Sequence, residues 1–276
     1  MSTSDPLPQT QPEVTIVVTP RERFSKSEES LESVYAHTEV PFDLVYVAGK
    51  PPKHTREFLE HHAAQRGFEL IVADHHLSPN QARTLGLARV STPYVAFVDN
   101  DLMVTPGWLA RLLDCARSTG AWAVGPLYFE GEPGQRIIHM AGGDIRIEGT
   151  PGRRSFGTVH RHQGLPLDDC PVTLMREAVD FVEFHCMLVR TDALTKLGGL
   201  DPRLLSTREH LDLCLAITGE GEQVYFEPGS EVTYLTPPPV ERTDIPFYLR
   251  RWSEAWNRSS LEHFCDKHGI DPSYVD

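Results

Sequence analysis

The strongest constraint on this chain is a rhythm in its first half, where short buried apolar runs alternate with amphipathic stretches. Val14–Val18, Leu44–Ala48, Glu69–Ala73, Tyr94–Val98 and Trp122–Gly125 read as strands. Between them, Ser25–His37, Thr55–Arg66, Asn80–Val90 and Gly107–Thr119 read as helices, the first with Ser25 or Ser27 placed to cap it. Strand and helix in strict turn mean βαβ units, hence a mostly parallel sheet covered on both faces. At 276 residues the chain can bury a substantial core.

The second half is less regular. From Phe129 to Met175, glycine, proline and charge predict loops, with a short hairpin near Gly142–Ile147. Val179–Arg190 reads as a strand, Arg208–Thr218 as a helix and Gln223–Glu227 as a strand, before a proline run at 237–239 stops regular structure. Ile245–His268 reads as one helix, with Trp252 and Trp256 on a common face. Docking of its aromatics on the core is the plainer reading; a membrane-surface helix, a partner site or a lid over the ligand are the alternatives. Residues 1–12 read as a disordered leader, with neither the basic nor the apolar region of a secretory signal.

Charge narrows the function. With 26 basic and 39 acidic residues the formal net charge is -13, which repels nucleic acid and anionic lipid over most of the surface. An anionic ligand must then be met by bound cations or a few placed arginines. Five scattered cysteines without a CxxC pair predict reduced thiols and a cytoplasmic setting, peripheral to a membrane at most, and no apolar run reaches bilayer length. Histidine pairs at His61-His62 and His75-His76 lack ligand spacing and read as solvated surface. GxGxxG, Walker A and GxSxG sequences are absent.

The chemistry concentrates where strand Tyr94–Val98 runs into Asp99-Asn100-Asp101. Ligands of open α/β sheets bind at the carboxyl ends of strands. Two carboxylates at i and i+2 there suit a hard divalent cation, Mn²⁺ or Mg²⁺, that could bridge to a diphosphate. Alone, the same triplet is also an ordinary turn.

Context adds a resemblance. Asn80-Gln-Ala-Arg-Thr-Leu-Gly, then Asp99-Asn100-Asp101, then Pro106-Gly-Trp-Leu109 is similar to family 2 glycosyltransferases, with their N-x-A-R-N-x-G helix, D-x-D strand end and P-G-W-L. Ile138–Gly143 resembles that family's H-x-G-G segment, Gly198-Gly-Leu-Asp201 its G-G-F-D turn, and Glu209-His-Leu-Asp-Leu-Cys-Leu215 its E-D-x-D-L-x-L. The resemblance spans about Val14 to Tyr234 and implies a GT-A fold, with a nucleotide-sugar half at 13–127, an acceptor half at 128–236 and a C-terminal extension at 237–276.

Function and roles follow as what the resemblance implies: a metal-dependent, inverting transfer of a sugar from a UDP-, GDP- or dTDP-linked donor to a glycan, lipid-linked, protein or small-molecule hydroxyl. Thr19, Pro20, Arg21, Glu22, Arg83, Asp99 and Asn100 would contact the donor, and Asp99 and Asp101 the metal. The base would be Glu209 or His210, with Asp212 in support.

Three departures stand out. Thr84 replaces the motif's asparagine, and His210 occupies the position of the family's catalytic carboxylate. Glu183 and His185, which alternation places on one strand face with Phe181 and Met187, replace small residues. They either serve metal, leaving group or acceptor, or simply pair with each other or with loop groups. Tyr234 stands where a late metal-binding histidine is usual in the family, which leaves that coordination site to His185 or a water. Two other functions compete. A nucleotidyltransferase would want a glycine-rich loop after the first strand, which Thr19–Arg23 is not; a non-catalytic saccharide- or nucleotide-binding module of the same fold is the other.

Overall fold

The structure, a computed structural model, describes residues 11–150, 153–236 and 240–275. The first ten residues of the expected leader and the proline stop at 237–239 lie outside the described residues.

In chain order the elements are β1 Val14–Thr19, α1 Ser27–His37, β2 Asp43–Gly49, α2 Lys53–Arg66, β3 Glu69–Ala73, α3 Pro79–Leu87 and β4 Tyr94–Asp99. There follow β5 Leu102–Val104, α4 Trp108–Thr119, β6 Ala123–Glu130, β7 Ile137–Met140, β8 Gly143–Glu148, β9 Arg154–His160 and β10 Glu177–Val179. The chain continues through β11 Cys186–Arg190, α5 Thr191–Leu197, α6 Glu209–Gly219, β12 Val224–Tyr234, α7 Ile245–Arg251, α8 Glu254–His268 and β13 Ile270–Val275.

The main sheet runs β10-β12-β6-β11-β4-β1-β2-β3, with β5 on β12 and β7 on β6. Pairing is parallel from β3 through β2 and β1 to β4, and antiparallel strands enter at β11. All six residues of β1, VTIVVT, are buried, as a strand covered on both faces requires. The β1–β4 register runs from Val14 opposite Tyr94 to Thr19 opposite Asp99, which sets the two strand ends side by side. Helix α3 is held over β1 by close approach: a Cβ on Gly86 would lie 2.4 Å from Cγ1 of Val17.

Several local expectations change. Neither Ser25 nor Ser27 caps α1, whose cap position is Lys26 without a side-chain bond. Instead Oδ1 of Asp244 accepts from the backbone N–H groups of Phe24 and Ser25, and Oγ of Ser27 accepts from the Asn100 amide at 2.8 Å. The stretch from 129 to 175 is more ordered than its composition suggests, because β6 continues to Glu130, β7 pairs with it, and β8 and β9 form a hairpin. β13 joins β9 to complete a small second sheet.

The strand expected over Val179–Arg190 is broken, since β10 and β11 are separate and 180–185 is irregular. The Tyr128 hydroxyl stands in for a strand neighbour there, 2.7 Å from the Cys186 carbonyl and accepting from the Glu183 N–H at 3.2 Å. The single tail helix is likewise two, because Ser253 caps α8 and Trp252 falls in the break, so Trp252 and Trp256 do not share a helical face. Phe247, Trp256 and Phe264 are buried against the rest of the chain. No helix among the described residues is long and apolar enough to cross a membrane.

Candidate active site

Side chains from six segments meet beyond the carboxyl ends of β1 and β4. They line a cavity of about 170 Å³ and include Arg21, Arg83, Asp99, Glu183, His185 and Glu209. His210, Arg251 and Trp252 complete its wall.

Asp99 ends β4 with 1% exposure and is matched by two partners. Arg83, projecting from α3, donates to Oδ1 at 2.9 Å, and Nδ1 of His185 lies 3.1 Å from Oδ2. Burial alone would raise the Asp99 pKa, but the Arg83 guanidinium and His185 outweigh it and hold the carboxyl below its ordinary value. Arg83 also reaches Oε1 of Glu209 at 3.4 Å, and Arg251 approaches the same oxygen at 3.8 Å, while Oε2 of Glu209 has no partner. Three guanidinium groups (Arg21, Arg83 and Arg251) thus border one cavity of a strongly acidic protein.

The middle residue of the triplet is structural. Asn100 donates to the Arg23 carbonyl and to Ser27 and accepts from the Arg21 N–H, so its amide folds the Thr19–Arg23 loop around itself. Asp101 does not line the cavity; it is fully buried, with Nε of Arg23 at 3.3 Å from Oδ2 and no partner for Oδ1. Burial, with Glu22 and Asp99 adding repulsion, pushes its pKa up to about 8 against the pull of Arg23 and Arg21. An orphaned carboxylate oxygen under that much electrostatic load fits a cation ligand, so the donor set suits the divalent ion the sequence implies.

Glu22 accepts from the Tyr234 hydroxyl and from the Trp252 indole, the latter at 2.8 Å. Tyr234, in the place of the late histidine, stacks on His185 with centroids 4.3 Å apart. Thr19 and Pro20 are buried, and the Thr19 hydroxyl has no partner.

Glu183 and His185 do pair, with Nε2 of His185 3.2 Å from Oε2 of Glu183, and histidines of β7 and β9 join them. Nε2 of His139 lies 2.9 Å from the same oxygen and Nε2 of His160 3.1 Å from Oε1. Nδ1 of His139 faces Glu130 at 2.9 Å. Burial opposes a charge on His139, but Glu183 and Glu130 outweigh it and raise the imidazole to about 9. Burial opposes the Glu183 charge too, and His139 and His185 overcome it, so that carboxyl stays well below its usual range. His210 goes the other way: burial depresses it to about 4, only partly countered by Glu183 and Glu209.

Asp212 is not brought to the cavity. It binds Nζ of Lys267 and Nε2 of His268, each at 2.8 Å, and so fastens α8 to α6. Sequence reasoning missed Arg23, Arg251, His160 and Glu130. His139 was visible only as part of a motif. Arg251 carries no local signal: its Nε donates to the Arg21 carbonyl across 230 positions of sequence.

Comparison with known proteins accords with this arrangement. Residues 15–181, more than half of the chain, match the family described as Glycosyl transferase family 2. A protein named pre-mycofactocin glycosyltransferase from Mycobacterium tuberculosis is 28% identical over 160 residues, covering 58% of this chain and 30% of that protein. The chain therefore spans less than a third of the length of that relative. Among solved structures, GalNAc-T7 with UDP, GalNAc and Mn²⁺ superposes with a TM-score of 0.63 at 16% identity, covering 94% of this chain and 55% of the other. The mannosyltransferase PcManGT from Pyrobaculum calidifontis, in complex with GDP-Man and Mn²⁺, gives 0.57 at 14% identity, covering 94% and 64%. These likenesses establish the fold as GT-A, as the motif series implied. With the family match running from β1 through the acidic triplet to the edge of the histidine cluster, the chain belongs to glycosyl transferase family 2.

Proposed function

We propose that the chain transfers a glycosyl group from a nucleotide-diphosphate sugar to a hydroxyl acceptor, with inversion. The observation that carries this is the cavity at the ends of β1 and β4, where Arg21, Arg83 and Arg251 converge beside Asp99 in a chain of net charge -13. A guanidinium fork matches phosphate oxygens, so these arginines supply locally the attraction that the surface denies. The donor half is 13–127 and the acceptor half 128–236.

Asp99 and Asp101 would hold a divalent cation, Mn²⁺ or Mg²⁺, which would offset charge developing on the leaving diphosphate. His185, the third ligand expected from the sequence, lies with Nδ1 3.1 Å from Oδ2 of Asp99. Relatives of this fold were solved with UDP or GDP-Man and Mn²⁺, which supports the donor class and the ion.

Glu209 is the better of the two candidate bases. It lines the cavity with one oxygen unpartnered, and Arg83 and Arg251 fix its position. His210 turns instead toward Glu183, with Nε2 4.0 Å from Oε1. One base suffices for a single in-line displacement.

The test is turnover of a panel of UDP-, GDP- and dTDP-sugars with and without Mn²⁺, in the parent, Asp101→Ala, Glu209→Gln and His210→Gln proteins. Loss of about a hundredfold or more in Asp101→Ala and in Glu209→Gln is expected, from the usual worth of general-base catalysis and of metal-borne charge stabilisation. Undiminished turnover in Asp101→Ala overturns the metal reading. Loss in His210→Gln with none in Glu209→Gln assigns the base to His210. Saturable donor binding with no transfer or hydrolysis in the parent protein indicates a binding module.

A further inference from the structure

Glu183 is the centre of a second constellation that glycosyl transfer does not require. The Nε2 atoms of four histidines surround its carboxylate: His139 at 2.9 Å and His185 at 3.2 Å from Oε2, His160 at 3.1 Å and His210 at 4.0 Å from Oε1. They come from β7, β9, the 180–185 segment and α6, so convergence is a property of the fold and not of one local motif.

Ligand atoms bound side by side to one ion at about 2.0–2.1 Å lie roughly 3 to 3.4 Å apart. The Glu183 distances to His139, His160 and His185 fall near that spacing, and one donor atom each from His139, Glu183 and His185 lie within 4.8 Å of one another. Two of the histidines also carry the outer partner that metal-bound imidazoles have, a carboxylate on the far nitrogen. Glu130 faces Nδ1 of His139 at 2.9 Å, and Asp99 faces Nδ1 of His185 at 3.1 Å. That arrangement turns both Nε2 atoms toward Glu183. The cluster is reachable, because Glu183, His185 and His210 line the cavity.

The geometry points to a transition-metal site formed by His139, Glu183 and His185, with His160 closing it over the second carboxylate oxygen. Imidazole nitrogens with a single carboxylate select a borderline ion such as Zn²⁺ or Co²⁺ over the hard, oxygen-seeking Mg²⁺ that suits the Asp99–Asp101 pair. Arg21 Nη1 rests against the edge of the His185 ring, 2.8 Å from Nδ1 and 2.5 Å from the ligand atom Nε2, and has to swing clear as the ion enters. The site shares His185 with the Asp99–Asp101 reading, but its metal titration needs neither donor nor acceptor.

Metal alone is the probe. Full-length protein stripped with chelator and freed of it is titrated with Co²⁺ and with Zn²⁺, reading the visible Co²⁺ absorption and the heat of binding. One equivalent with ligand-field bands of an imidazole-rich site is expected. His139→Ala and Glu183→Gln should each weaken binding at least tenfold. Glu130→Gln, which removes only an outer partner, should weaken it by about tenfold to a hundredfold. Asp101→Asn should change it by less than about twofold, and Arg21→Ala should tighten it. Absence of Co²⁺ or Zn²⁺ binding at submillimolar concentration in the parent protein overturns the site, whatever the variants do. So does binding that survives His139→Ala and disappears in Asp101→Asn, which would place the ion on the acidic triplet; failure of donor turnover leaves either result unchanged.

Discussion

Asp99, Glu183 and Glu209, which line the cavity, and Glu22 and Asp101, which do not, are all buried, a concentration of carboxylates that only dedicated partners can sustain. Their partners differ in kind, and so therefore does their response to pH. Asp99 has an arginine, Glu183 has imidazoles, and Asp101 keeps an oxygen spare. His139, raised from 6.5 to about 9, binds its proton more tightly folded than unfolded. Its contribution is therefore complete below pH 6.5 and is lost as pH rises through 9. In chelator, the thermal midpoint should fall across that window, with a loss of stability of at most about 3 to 4 kcal/mol. His139→Gln should flatten the fall, and a parent slope unchanged in that variant would refute the assignment. The sequence made Asp99, Arg83 and Glu183-His185 legible because each sits in a motif or a face pattern. It could not show that Asp101 stays out of the cavity lining or that His160 meets Glu183, because both depend on how distant segments pack.

Regular elements were read best where burial pattern and turn chemistry agreed. β3 was bounded from sequence at Glu69–Ala73, as found. The 180–185 break was not, because an apolar run is consistent with a strand until a distant hydroxyl, that of Tyr128, intrudes. Helix α3 shows how tightly an element can be specified. Ser78 and Gln81 form a capping box, Pro79 occupies the first turn, and Gly86 lets the helix settle on Val17. Gly86→Ala should destabilise the protein by about 1 to 3 kcal/mol in denaturant titration, since its Cβ would overlap a strand side chain. Helix propensity alone predicts the opposite sign, a gain of up to about 1 kcal/mol. Arg83 rides on this helix, so donor affinity should weaken along with stability.

At the scale of the molecule, the sheet orders the chemistry and the C-terminal helices enclose it. Oγ of Ser260, in α8, accepts from the backbone N–H groups of Leu205 and Ser206, both at 2.8 Å. Ser206 in turn receives a bond from Arg251 at 2.6 Å. Ser260→Ala would leave two amide donors without that acceptor, at a cost of about 2 to 4 kcal/mol, and loosen the Arg251 wall. Lower thermal stability together with weaker nucleotide-sugar binding is expected; a stability loss with donor affinity intact would show that the helices brace the fold without shaping the cavity.

The bond from Arg251 to the Arg21 carbonyl joins positions 230 apart. During synthesis β1, β4 and the acidic triplet leave the ribosome long before α7 does, and early segments begin folding first. A growing chain can thus assemble the strands of its site while still lacking a wall. The ability to enclose a ligand arrives late, only when α7 has followed the acidic triplet out.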